Sequence, residues 1–204
     1  MKILTFLFVC CSFAVHGQDQ KSEALLSKGM KKYPIESGVL NYEISGGAKG
    51  TESLTFDRFG WRSLKRLSMQ FELYGQERSR TQHEISDGEI LYRVNQQDST
   101  YQERVDVRWS SIASQMSPIE ASESILFSLG GTYTSDSVLL GKTCQVWTFE
   151  NKSLIELWVW QGLTLKRKSR LGELVIVATA TGFKEGIQSD PRLFILPEFY
   201  ILKE

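Results

Sequence analysis

Four short stretches of the sequence carry residue types that could do chemistry. Gly141-Lys142-Thr143 has the glycine, lysine and hydroxyl of a phosphate-cradling loop. That motif needs a glycine five residues before Gly141, where Asp136 stands, and it needs a strand before it and a helix after it. The surrounding residues alternate like strands on both sides, so the triplet reads as a hairpin turn. His83-Glu84 resembles the start of a zinc-protease helix, but the second histidine would fall at Asp87. Cys144 could serve as a nucleophile if a histidine base lay beside it, and His83 is the one candidate outside the first 17 residues. A buried thiol on a strand is the plainer reading. No Gly-x-Ser-x-Gly elbow occurs. Asn151-Lys152-Ser153 is a glycosylation sequon, with meaning only in a eukaryotic secretory host.

Two basic clusters and a set of aromatics remain. Arg58, Arg62, Lys65 and Arg66 form one cluster, and Lys166, Arg167, Lys168 and Arg170 the other. They suit an anionic headgroup or a partner, or else a solvated outer face. Tyr42, Phe56, Phe71, Tyr92, Trp109, Trp158 and Trp160 fall on apolar strand faces. They could line an apolar cavity for a lipid or acyl chain, or simply fill a core.

Period-2 alternation dominates the elements that must hold these residues. Leu40, Tyr42 and Ile44; Leu54 and Phe56; Leu67, Met69, Phe71 and Leu73; Ile90, Tyr92 and Val94; and Tyr101, Val105, Val107 and Trp109 each alternate with polar neighbours. Strands also read at 133–140, 144–149, 154–160, 163–170 and 174–181, with a last one from Phe194 to Leu202 interrupted by Pro197. Gly46-Gly47 with Gly50, Asp87-Gly88, Leu140-Gly141, Gln161-Gly162 and Leu171-Gly172 mark turns. In the 52–66 region the alternation slips. Helical spacing appears twice: over 18–33, with Leu26, Met30 and Tyr33 on one stripe and Tyr33-Pro34 as its end, and over about 110–130. Ser117-Pro118-Ile119-Glu120 carries a capping box, and Gly130-Gly131 a stop.

The first residues have the layout of a secretory signal. Lys2 precedes an apolar run from Ile3 to Val15, and Val15 and Gly17 flank a cut ahead of Gln18. The run is shorter than the roughly 20 residues of a spanning helix. Cys10 lacks the small residue before it that lipidation requires, since Val9 is there. Beyond the signal only Cys144 remains, so no intramolecular disulfide is expected. No second long apolar stretch follows, so the mature chain is expected to be soluble. The 204 residues carry 24 basic and 24 acidic side chains, a balance that gives no sign of a nucleic-acid partner.

Leu140-Gly141-Lys142-Thr143-Cys144-Gln145-Val146-Trp147 resembles the G-x-x-C-x-v-(W/Y) hairpin of exported LolA/LolB-like domains. The run from Glu156 to Lys166 resembles their W-x-w-x-G-i-x-L-k strand pair, and Val177–Thr181 and Phe194–Pro197 are similar too. The resemblance is closest over 140–200. It implies a half-barrel of antiparallel strands with a helical plug and an apolar concave face. In the carriers of that family this face takes up lipoprotein acyl chains. No position here matches an acyl-gating arginine.

The expectation is therefore a mainly β (α+β) chain. Residues 1–17 form a signal peptide, and residues 18–204 a single LolA-like β domain. Its curved antiparallel sheet, or half-open β-barrel, has about ten strands, with two helices plugging the concave face. The expected function is non-enzymatic: binding of a lipid, acyl chain or lipoprotein in the periplasm or outer envelope of a Gram-negative bacterium. The alternative is an envelope scaffold with a filled core, acting through a protein partner. No catalytic residue, metal or cofactor is expected.

Overall fold

The computed structural model describes residues 16–150 and 153–203. The signal-peptide expectation therefore lies almost wholly outside the described residues, as does Asn151 of the sequon. The chain runs α1 (His16–Leu26), β1 (Gly38–Gly46), β2 (Ala48–Asp57), β3 (Arg62–Leu73), β4 (Gln76–Asp87), β5 (Ile90–Asn95), β6 (Thr100–Val105), α2 (Arg108–Ala113) and α3 (Pro118–Ser128). It continues through β7 (Gly131–Leu139), β8 (Lys142–Phe149), β9 (Leu154–Trp160), β10 (Leu163–Leu171), β11 (Leu174–Glu185) and β12 (Ile201–Leu202).

All twelve strands form one sheet in the order β12-β6-β5-β4-β3-β2-β1-β11-β10-β9-β8-β7. Consecutive strands from β1 to β6 and from β7 to β11 pair antiparallel through short connections, and β1 pairs antiparallel with β11 across the middle of the sheet. The two-residue β12 runs parallel to β6. The β7 and β12 ends do not meet, so the sheet is an open half-barrel rather than a closed one. A twisted sheet of this width curls rather than staying flat.

Local chemistry explains most element boundaries. Hairpin turns fall at Tyr74-Gly75, Leu140-Gly141 and Gln161-Gly162, and in each both residues have φ between 50° and 79°. That is the turn whose twist matches the flanking strands. The helix expected over 18–33 ends sooner, at Leu26. Gly29 (φ 75°) takes the left-handed position, Met30 N–H donates to Leu25 O and Gly29 N–H to Leu26 O. These two bonds close the helix as a Schellman motif. The Ser117/Glu120 capping box forms as expected, with Ser117 N–H to Glu120 Oε2 at 2.9 Å and Glu120 N–H to Ser117 Oγ at 3.4 Å.

Other expectations change. There are twelve strands rather than about ten. β4 reads as strand only near His83, because its residues Arg78, Arg80, Gln82 and Glu84 put polar side chains on the inward face as well. Among the described residues there are three α-helices rather than two, and Trp109 lies in the first turn of α2 instead of closing a strand. The slip at 52–66 is a tight turn in which Arg58 (φ 50°) and Phe59 (φ 56°) are left-handed between β2 and β3. Gly50 lies inside β2, not in a turn; a Cβ there would sit 2.1 Å from Ser68 O, so only glycine lets the two strands pair. Phe194 ends a 3₁₀ turn (Pro191–Phe194), and the chain after it is irregular, with strand only at Ile201–Leu202.

The sheet's two faces are covered differently. Register places Thr55, Leu64, Ile85 and Tyr92 in one cross-strand row, and Leu54, Lys65, Glu84 and Arg93 in the next. Neighbouring rows face opposite sides. The first row carries the outer face of β3–β5, where Leu193, Phe194, Leu196 and Tyr200 of the C-terminal segment pack against it. The second belongs to the concave face. At one end of that face, the turns at 58–60, 88–89 and 161–162 meet α1, the 30–36 segment and α3. A Cβ at Gly60 would touch Tyr33, one at Gly88 would meet Lys21, and one at Gly162 would meet Lys32 and Ser122.

Candidate ligand-binding trough

The concave face changes character along each strand. At the closed end Leu40, Phe56, Leu163 and Leu165 are fully buried beneath Tyr33 and Ile35. Tyr33 meets Phe56 edge-to-face at 5.1 Å between ring centroids. Beside this core, Trp61 is fully buried and donates its indole N–H to Met30 O at 2.9 Å. Leu126 of α3 covers Trp147, Phe149, Leu157 and Val159. This end is dry and filled.

One step further along the strands comes a layer of charge. Arg167 of β10 donates to Glu52 of β2 through two bonds, 2.8 Å to Oε2 and 3.4 Å to Oε1. Lys65 of β3 sits 3.3 Å from Glu52 Oε1. The Glu52 side chain is only 4% exposed, while Lys65 and Arg167 are each 30% exposed. Beside them on β4 and β5, Glu84 accepts from Gln82 at 2.6 Å and from Arg93 at 3.1 Å. Tyr42, directly across from Glu52, donates its hydroxyl to Thr164 O at 2.8 Å.

Burial alone would raise the Glu52 carboxyl, but Lys65 and Arg167 outweigh burial and hold it below the usual carboxylate range. Lys65 is lowered from the ordinary lysine value, first by burial and then by repulsion from Arg167; Glu52 and Glu84 oppose the shift without cancelling it. The layer is charged and short of anions.

Beyond the layer the helices no longer cover the face. A trough of about 230 Å³ opens there. Its apolar lining is Ile44, Leu67, Met69, Leu171 and Ile176, and its polar lining includes Lys65, Arg80, Gln82, Glu84, Arg167 and Ser169. Strands β3 and β4 make one wall and β10 and β11 the other. The walls approach at the outer end, where a Cβ on Gly172 would lie 4.0 Å from Leu73.

Of the seven aromatics expected to line a cavity, four gather in or against the filled core and three lie apart from it. Tyr42 and Phe56 lie in and beside the dry core. Tyr92 faces the other side of the sheet, under the C-terminal segment and edge-to-face with Tyr101. Trp109 packs from α2 onto Met30 and Trp61. Trp158 and Trp160 pack against the core cluster, with Lys166 and Lys142 over their rings at 4.0 and 4.1 Å. Phe71 alone borders the trough, through its contacts with Ile44 and Met69. The basic clusters are split in the same way: Arg62 pairs with Asp57, Lys166 with Glu156, and Lys65, Arg167 and Arg170 reach the trough.

Several trough residues were legible. Ile44, Leu67 and Met69 fall on inward positions of the alternation. Glu52 could have been found by continuing the Phe56, Leu54 alternation one step back. Arg80 and Gln82 left no signal, because nothing in a wholly polar stretch tells inward from outward.

Lys32 is a further perturbed group of the concave side. Its ammonium lies over Trp61 at 4.5 Å and donates to Gly88 O at 3.3 Å. Burial lowers it to about 8, against the pull of Asp106, Glu89 and Asp87. It sits in the closed end, among packing contacts. Cys144 is fully buried and its thiol is raised by burial, the state of an inert core cysteine. Among the described residues no group of three or more histidine, cysteine, aspartate or glutamate side chains could hold a metal. No helix among them is long and apolar enough to cross a membrane.

The class this architecture defines is the open antiparallel half-barrel with helices closing one end. No family model matches the chain, and no curated protein matches it. Among solved structures it is similar to an uncharacterised conserved protein from Thermus thermophilus, with a TM-score of 0.53 at 6% identity over 89% of this chain and 98% of that one. At that identity the likeness concerns fold alone. It also overlaps LprF from Mycobacterium bovis, with a TM-score of 0.35 and 9% identity over 88% of this chain and 97% of that one, a match too loose to bear on fold or function.

Proposed function

We propose that this chain is an exported, non-enzymatic binding protein that holds the acyl chain of a lipid or lipoprotein in the open trough. The observation that carries this reading is the uncovered apolar wall of Leu67, Met69, Leu171 and Ile176, left open while the other end of the same face is packed dry. Covering that wall with hydrocarbon is favourable by about 0.8 kcal/mol per methylene. The sequence resemblance of residues 140–200 to LolA/LolB-like domains supports the same reading.

Native mass spectrometry of the protein purified gently from its own envelope, with organic extraction of the bound material, tests it. A co-purifying lipid or acylated protein is expected. Met69→Asp, which sets a charge in the trough wall, should abolish displacement of an apolar fluorescent probe while the circular dichroism of the sheet survives. A clean apo mass together with no probe binding overturns the reading.

A second reading has its own observation. Phe127 is 75% exposed on α3 and Val138 66% exposed on the edge strand β7, whose outer side is unpaired in the sheet. An envelope scaffold acting through that edge is the function that remains if the trough binds nothing.

A further inference from the structure

The trough's charges are unequal and unevenly placed. Lys65, Arg80 and Arg167 line it on facing walls, and Arg170 stands at its rim. Against these four cations stand two carboxylates, Glu84 in the lining and Glu52 behind it. Glu84 is already held by Arg93 and Gln82, and Glu52 is shared between Lys65 and Arg167. Arg80 donates to the neutral Gln82 amide. A partly enclosed site with excess positive charge attracts an anion more strongly than the same charges spread over a surface.

The order of residues along the strands gives the site a direction. On β3 the inward positions run Lys65, Leu67, Met69, Phe71 from the closed end outward, and on β10 they run Arg167, Ser169, Leu171. On these two strands charge is deepest and apolar surface lies outside it, while on β4 Glu84 and Gln82 are followed outward by Arg80, opposite Met69. Inward of the charge layer the core is filled, so a hydrocarbon tail has no room there.

We propose that the trough selects an anionic amphiphile bound head-first, its carboxylate or phosphate seated at Lys65 and Arg167, with Arg80 reaching in from the flank on β4, and its chain running outward over Met69, Leu171 and Ile176. This rests on the binding role proposed above and adds to it the charge of the ligand and its polarity in the site. Lys65 is depressed first by burial and then by repulsion from Arg167, and a bound anion would oppose both. A bound carboxylate or phosphate would supply charge-assisted hydrogen bonds that Glu52 alone cannot share among three cations.

The test is titration of the delipidated full chain with dodecanoate, dodecyl phosphate, dodecanol, dodecylammonium and inorganic phosphate, at low and high salt. Both anionic amphiphiles should bind at least ten-fold more tightly than dodecanol, with dodecylammonium weakest. High salt should narrow the gap. Arg80→Gln, at an exposed position, should bring dodecanoate down towards dodecanol. Arg167→Gln, which leaves Glu52 still paired with Lys65, should do the same. If dodecanol binds as tightly as dodecanoate, the headgroup assignment falls and the binding role stands. If inorganic phosphate matches dodecyl phosphate, the tail contributes nothing and the amphiphile is wrong. If no amphiphile binds, the proposed function falls as well.

Discussion

The closed and open ends of the concave face are built from the same strands, yet they are finished differently. Strand β1 contributes Leu40 to the closed end and Ile44 to the open end, and β2 contributes Phe56 and Ala48. Between them β1, β2, β3, β4 and β10 carry Tyr42, Glu52, Lys65, Glu84 and Arg167. At the closed end the 30–36 segment and the helices supply the second layer that a one-sided sheet requires. At the open end no element does, and the walls curl towards each other instead. The difference teaches that burial alone does not mark a core: Ile44 (3% exposed) and Phe56 (0%) are both buried, but only Ile44 lines a trough.

The largest effect should separate the two ends directly. Phe56→Ala removes a ring from a space with no access to water or ligand, and should cost about 3–5 kcal/mol in denaturant unfolding. Met69→Ala, in a wall that ligand or solvent can refill, should cost clearly less. Equal losses would mean that the trough is as filled as the core.

Next comes the charge layer. Glu52→Gln leaves Lys65 and Arg167 facing each other without their shared carboxylate. A loss of about 2 kcal/mol at neutral pH is expected, below the 3–5 of a fully enclosed pair because both cations are partly exposed. The folded-state value of Glu52 is depressed, so its contribution is fully present above the unfolded glutamate value near 4.5 and is lost as pH falls through the lower folded value. The acid limb of a stability-against-pH curve should therefore be steeper in the parent than in Glu52→Gln.

Ser117→Ala removes one half of the capping box on the helix that covers Trp147 and Phe149. About 1 kcal/mol should be lost from thermal or denaturant unfolding, with trough ligand affinity unchanged.

The closed end has its own pH response, in the same sense as the trough's but on the alkaline side. Lys32 is lowered from 10.5 to about 8 in the folded chain. Between those values the unfolded chain binds the extra proton, so stability rises with pH over roughly 8 to 10.5. Lys32→Met should flatten that rise in unfolding midpoints measured across the window. A slope unchanged in the variant would show that the ammonium is better solvated than its neighbours imply.

Sequence by itself determined the mainly β architecture, most of the hairpins and the capped helix. Strand alternation, X-Gly turns and Ser-Pro-Ile-Glu act over a few residues, and the sheet only repeats what they state. It also placed Ile44, Leu67 and Met69 inward, though not at an open site. Tertiary structure decided the rest. Alternation says that residues share a face but not which face, and so Tyr92 lies under the C-terminal segment and not beside Phe71. Helical spacing over 18–33 could not show that Gly29 would stop α1 early and leave Met30 and Tyr33 as cover for Trp61 and Phe56. Nor could the pairing of Glu52 with Arg167, 115 positions apart in sequence, be read from either neighbourhood. A charge on a strand looks solvated until the sheet curls and sets a second strand, with the opposite charge, across from it.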